Sequence, residues 1–135
     1  MNTRISESHC DLFEKVDGAS SHKVALDLAL GREPAFPSRG GRYPVAGKFF
    51  LRTYGDALVQ GVPSDAAIRE VEQAVPGTTI QVLVDEGARL SELMDQDSYS
   101  YCLALVFIGG QDEADLEAKY RQVSERLAFQ LEQAA

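Results

Sequence analysis

Leu12, Phe13 and Val16 follow Ser8 at helical spacing and run into Gly18, which predicts a short helix closed by a glycine stop. Ser20 and Ser21 are N-cap candidates for a second helix reaching Leu30. In it Val24, Ala25, Leu28 and Ala29 make one face, and Leu26 and Leu30 make another. A helix apolar on several sides is expected to be buried. Gly31 ends it, and the three prolines and three glycines between Arg32 and Gly47 mark an irregular connection.

Aromatic and β-favouring residues from Lys48 to Tyr54 predict a strand. Gly55-Asp56 then reads as a turn and Ala57 to Val62 as the return strand of a hairpin. Pro63 breaks the pattern. Ser64 caps a helix carrying Ile68, Val71 and Val75, and Pro76-Gly77 stops it. Ile80, Val82 and Val84 alternate along a half-buried strand from Thr78 to Val84 that ends in the turn Asp85-Glu86-Gly87. Ala88 to Met94 has no decisive period. Tyr101 to Ile108 is apolar throughout and short enough for a strand, so it is expected at the centre, covered on both faces. After Gly109-Gly110, Asp112 and Asp115 resemble a capping box, and Leu116, Tyr120, Val123, Leu127 and Leu131 form one stripe of a terminal helix. The expected class is α+β. An N-terminal helical segment with its Pro/Gly loop spans 1–47, and 48–135 follows as one compact β-β-α-β-β-α unit, a mostly antiparallel sheet with helices on one face.

Composition narrows the functional classes. The 135 residues suffice for about one domain, and 44% apolar with 25% charged residues is ordinary for a globular chain. Thirteen cations against twenty-one carboxylates give a net charge of −8, which disfavours nucleic acid and anionic membranes as partners. The apolar run at Tyr101 is far shorter than the roughly 20 residues that span a bilayer. No signal-peptide pattern opens the chain, and two cysteines without a spacing framework read as free thiols, so the expected location is cytoplasmic. One stretch departs from the acidic background: between Gly31 and Lys48 stand Arg32, Arg39, Arg42 and Lys48 against Glu33, a net of +3 that leaves −11 for the rest.

The sharpest candidate chemistry is the string Met1-Asn-Thr-Arg-Ile5, with His9 four residues later. With a glutamate before it, this string resembles the Glu-Met-Asn-Thr-Arg-Ile signature of biotin carboxylases and, more loosely, the Glu-x-Asn-x-Arg element of ATP-grasp ligases. Glu14, Gly18 and the run Val24 to Gly31 look like the helix pair that follows that element. From Lys48 onward the pattern is similar to the C-terminal subdomain of ATP-grasp amino-acid ligases and carbamoyl-phosphate-synthase-like proteins. The resemblance implies a metal-ligand role for Asn2 and an anion-contacting, catalytic role for Arg4, with Mg²⁺ held by hard oxygens. The metal-bridging glutamate, the nucleotide-gripping lysines and the phosphate loop are not in this chain, so Mg²⁺ and ATP are expected only for a complete enzyme. Ser8 stands where biotin carboxylases place a catalytic glutamate and Glu7 is shifted by one, which favours carboxylate–amine ligation over biotin carboxylation. The resulting expectation is a C-terminal fragment or subunit of such a ligase, inactive alone, whose partner is the N-terminal ATP-grasp portion or subunit. The alternative is a non-catalytic α+β module that self-associates as a homodimer.

Plainer roles stand beside these. Asn2-Thr-Arg also admits a plainer reading, as a tail without a role. His9 and His22 sit in first turns, where solvated or capping roles are usual. Cys10 and Cys102 read as a surface thiol and a small core residue. Asp85, Glu86, Asp95 and Asp97 lack the spacing of a calcium loop and read as turn formers. The cations of the 31–48 segment read as a solvated loop or, in an assembled enzyme, as phosphate contacts. Tyr99 and Tyr101 read as packing residues.

Overall fold

A computed structural model describes residues 9–94 and 99–133. Its longest strand is also its most deeply covered. Tyr101–Gly110 is buried at all ten positions and pairs antiparallel with Val45–Thr53 on one side and Thr78–Val82 on the other. In chain order the elements are α1 (Cys10–Asp17), α2 (Ser21–Ala29), β1 (Val45–Thr53), β2 (Ala57–Gly61), α3 (Asp65–Ala74) and β3 (Thr78–Val82). A 3₁₀ turn at Leu90–Glu92, then β4 (Tyr101–Gly110), α4 (Glu113–Arg126) and β5 (Gln130–Gln133) complete the chain. The sheet order is β1-β4-β3, and β2 pairs separately with β5, again antiparallel. The strand β4 thus lies between the two ends of the unit β1/β2-α3-β3, which is a split β-α-β arrangement. The class is α+β, as the sequence pattern predicts.

Helix boundaries follow their caps. Ser20 Oγ accepts from Lys23 N, Ser64 Oγ from Ala67 N, and Asp112 Oδ1 from Asp115 N. Each such cap contributes about 1 kcal/mol. The Asp112–Asp115 pair works as a variant of the capping box: Asp115 Oδ2 reaches back to Gln111 N at 2.9 Å. That bond from Gln111 and the Lys119 ammonium together hold the Asp115 carboxyl below its ordinary range. Gly18, at φ 80°, closes α1.

Alternation along β4 feeds two layers. Ala104, Val106 and Ile108 join Val71 and Val75 of α3 and Leu116, Val123 and Leu127 of α4 in the main core. Leu105 and Phe107 point the other way, with Cys102, against Leu12 of α1. A bulge interrupts the alternation: Leu51 pairs with Ala104 and Arg52 with Cys102, leaving Leu103 extra. Leu103 and Tyr101 consequently join Ala57, Val59, Val84 and Leu90 in a second core beneath β2 and β5. Phe129 packs against both cores and joins them.

Three expectations need correction. Strands β1 and β2 follow each other through Tyr54-Gly55-Asp56 without pairing, because β1 takes β4 and β2 takes β5. Gly55, at φ 92°, turns the chain there, and Asp56 anchors the turn by accepting from Arg89 Nη1 at 2.7 Å and Ser91 N at 3.0 Å. The terminal helix stops at Arg126, and Leu131, read as helical, lies in β5 opposite Val59. Helical spacing and strand burial both accommodate Leu127 and Leu131; the open edge of β2 decides for the strand. Strand β5 adds a fifth strand after α4. Helix α2, expected to be buried, buries none of its nine residues.

The arm before the sheet is tied on at two places. Lys15 Nζ lies 2.9 Å from Asp11 Oδ1 and donates to Thr79 Oγ1 at 3.0 Å, joining α1 to β3. Tyr43 lies flat over Gly77 and Gly109, so closely that a Cβ on Gly109 would stand 2.3 Å from the ring. Lys119, whose ammonium is 5.4 Å from that ring centre, donates to Gly109 O at 2.8 Å.

Two outcomes follow from this packing. Gly109→Ala is expected to cost about 1–3 kcal/mol, the usual overpacking penalty, and most of that cost disappears in a Tyr43→Ala background. A double-mutant cycle by urea denaturation measures both. The second concerns acid. Burial pulls the Asp56 carboxyl up, but its bonds from Arg89 and Ser91 outweigh this and hold it below the ordinary range. Its stabilising effect is therefore complete above the unfolded carboxyl value of about 3.9 and is lost as pH falls through the lower folded value. Asp56→Asn should be less stable than the parent from pH 7 to about 5, with the gap closing below about pH 4 in denaturant midpoints taken against pH.

Candidate functional site

The residues with functional promise lie before the sheet and on the sheet face that α1 covers. Backbone bonds stitch the Pro/Gly loop to the end of α1: Gly41 N donates to Val16 O at 2.9 Å and Tyr43 N to Lys15 O at 3.0 Å. Asp17 Oδ1 accepts from Arg39 N at 2.9 Å, which holds Arg39 at φ 55°. The loop is thus fixed in place, and its arginines project from it. Arg32, Arg39 and Arg42 are all exposed, and among the described residues none forms an ion pair. Arg42 instead lies 5.6 Å from the Tyr43 ring centre.

Lys48 separates from that group. It stands on β1, its ammonium 4.8 Å from the Phe50 ring centre and 5.9 Å from that of Phe107. Arg52 approaches the same Phe50 ring at 5.1 Å and donates to Ser100 Oγ at 2.7 Å. Lys48, Phe50 and Arg52 share a strand face because they alternate, a signal present in the sequence but masked there by the continuous run of strand formers. Beneath them sits Cys102, 6% exposed. Burial pushes its thiol up, and the charges of Arg52 and Lys48 offset part of the rise.

Charge divides with the architecture. From residue 10 to 54, covering α1, α2, the loop and β1, seven cations face five carboxylates, a net of +2. From 55 to 135, five cations face fifteen carboxylates, a net of −10. The apolar surface divides as well. Leu26 and Leu28 of α2 are each 60% exposed, Leu30 55% and Phe36 47%. Phe36 meets Phe13 of α1 edge-on, ring centres 6.5 Å apart.

The other candidates fare as follows. Asn2 and Arg4, the expected metal ligand and catalytic anion contact, lie outside the described residues, as do Asp95 and Asp97. His9 is the N-cap residue of α1 without a side-chain cap bond, and His22 is exposed in the first turn of α2. Cys10, read as a surface thiol, is buried, and Cys102 is buried as expected. Asp85 and Glu86 form a turn, with Asp85 O accepting from Ala88 N. Tyr101 packs in the second core, whereas Tyr99 is exposed. Among the described residues no group of three or more His, Cys, Asp or Glu side chains is placed to hold a metal ion, and no helix is long and apolar enough to cross a membrane. A shallow groove between α3 and α4 is lined by Ala67, Glu70, Val71 and Arg126.

No family model matches the chain, and no curated protein or solved structure matches it either.

The two thiols provide a direct check on this side of the sheet. Since both are buried and burial raises that of Cys102, a disulfide-exchange reagent at pH 8 should titrate neither within minutes in the native protein and both once denaturant is added. Rapid native reaction at Cys102 would show that the face is open where the packing closes it.

Proposed function

We propose that this chain is the C-terminal part, or the smaller subunit, of an ATP-grasp carboxylate–amine ligase, and that it does not catalyse by itself. The observation that carries the reading is the helix pair. Directly after the Asn2 and Arg4 string come two short helices, α1 and α2, the first closed by Gly18 and the second followed by Gly31 at φ 68°. This is the order the ligase resemblance requires. The basic loop behind them and the Lys48–Phe50–Arg52 row give this side of the molecule the positive charge that a phosphate-handling enzyme uses.

The donor set within the chain does not by itself fit a magnesium site. Asn2 offers one neutral amide oxygen, whereas Mg²⁺ is usually held by one or two carboxylates together with substrate phosphates. The missing carboxylate and the nucleotide-binding residues belong to the remainder of the enzyme, and Arg4 acts there as a contact for an anionic substrate group.

A second reading, a self-associating module without catalysis, is favoured by the outer edge of β3, which pairs with no strand among the described residues. One experiment separates the two. The in-frame sequence preceding the Met1 codon, and the neighbouring genes, are read in the source genome, and the resulting longer protein or pair is expressed. The expected finding is a glutamate codon before Met1 leading into ATP-grasp sequence, and ATP hydrolysis dependent on a carboxylate and an amine. Asn2→Ala and Arg4→Ala should each lower that activity by about 10²-fold or more, the scale for losing one transition-state charge contact. A close in-frame stop, with no ligase-like neighbour that binds the chain, sinks the proposal in favour of the self-associating module.

A further inference from the structure

The β1-β4-β3 sheet ends at β3, and the sequence of that strand carries none of the usual devices that keep an edge from pairing. Thr78-Thr-Ile-Gln-Val-Leu-Val84 is seven residues without a charge, a proline or a glycine, and five of them are β-branched. Such a window on an open edge is a template for another strand. The other outer strand differs: β1 carries Lys48 and Arg52, and the Tyr120 hydroxyl of α4 donates to Phe50 O at 3.1 Å. In β3, Gly109 N donates to Gly77 O and Leu83 N to Leu103 O, each at 2.9 Å. Odd positions therefore serve β4, and Thr78, Ile80 and Val82 turn their N–H and C=O groups away from it. Two of those three amides are occupied. Thr78 N donates to Val75 O at 3.3 Å in the turn after α3, and Ile80 N donates to Glu72 Oε1 at 2.8 Å. Glu72 follows Val71, which packs α3 into the main core, and is itself partly covered. The helix thus lays a carboxylate over the middle of the edge strand, where an incoming strand would have to place a carbonyl oxygen.

From this we infer that Glu72 is a latch on the outer edge of β3, and that the edge it closes fits the β3 edge of a second copy. Two-fold antiparallel pairing centred on Ile80 would set Thr79 against Gln81 and Thr78 against Val82, with no charged residue opposed to another. The latch acts by bond and by charge. It takes the Ile80 amide, and it holds a negative group where the carbonyl of an incoming strand would lie. Without it, a neutral and β-branched edge is ready to pair. The turn Val75-Pro76-Gly77 folds β3 back along α3, which brings Glu72 to the residue eight positions later. The inference uses only α3 and β3 and is independent of the ligase reading. A module that self-associates through the middle of β3 would first have to displace Glu72.

The test uses the full chain and its variants, followed by sedimentation velocity over about a hundredfold range of concentration and by amide exchange in nuclear magnetic resonance. The parent should sediment as one chain throughout, with the Ile80 amide protected although it lies on the outer edge. Glu72→Ala should speed exchange at Ile80 by at least about tenfold and shift the protein towards two chains as concentration rises. Glu72→Gln keeps an acceptor oxygen, so it should pair severalfold more weakly than Glu72→Ala. Adding Gln81→Lys to Glu72→Ala should restore the single chain, because a lysine on an edge strand opposes pairing. Should the alanine variant fail to fold, Glu72→Asp is the milder one: its carboxylate is one methylene short of Ile80, and both changes should appear in smaller degree. A parent that already forms dimers, or an alanine or aspartate variant that folds and stays a single chain at every concentration, would overturn the proposal. So would dimers that Gln81→Lys leaves intact, which would place the contact elsewhere, or a glutamine variant that pairs as tightly as the alanine one.

Discussion

Everything in the fold is organised around one strand with no exposed residue. β4 must be paired on both edges and covered on both faces, because ten consecutive buried positions leave it no side that water can serve. Its edges recruit β1 and β3. Its two faces recruit α3 and α4 on one side and α1 on the other. Each large apolar side chain so buried is worth about 1.5–3 kcal/mol, which exceeds any individual cap or ion pair in the chain. The bulge at Leu103 redirects the first part of the strand, so that Tyr101 and Leu103 open a second core and give β2 and β5 something to cover.

That hierarchy explains which elements were legible in the sequence. Punctuated elements are fixed by local chemistry: Ser64 before and Pro76-Gly77 after α3, Ser20 before α2, Asp112 before α4. The central strand was legible because eight apolar residues in a row leave few alternatives. The partners of strands were not. A glycine-aspartate turn between two strand-like runs reads as a hairpin, but pairing is decided by the other strands on offer. β1 gains more beside the fully apolar β4 than beside the short β2. Leu131 failed for the same reason, since an i, i+4 spacing says nothing about an open strand edge elsewhere.

The misreading of α2 differs in kind. Its apolar pattern is real, and the inference from pattern to burial was sound for a helix that completes its own domain. What the pattern does not encode is whether the chain's own surface covers that helix. Likewise the grouping of four cations between Gly31 and Lys48 was only partly spatial. Arg32, Arg39 and Arg42 project from a loop pinned to α1, while Lys48 lies on the sheet over Phe50 and Phe107. The roles proposed for Asn2 and Arg4 rest on the resemblance alone, because nothing in their periodicity or spacing assigns them one.

The pinning of the arm constrains any account of how the molecule works. Helix α1 is held to the sheet by Leu12 and by the Lys15 bridge to Thr79, and the loop is held by Tyr43 lying across Gly77 and Gly109. Helix α2 packs on α1, with Leu26, Leu28 and Leu30 left exposed. The loop is bonded to the C-terminal end of α1, at Lys15, Val16 and Asp17, the opposite end of the helix from its N-cap residue His9.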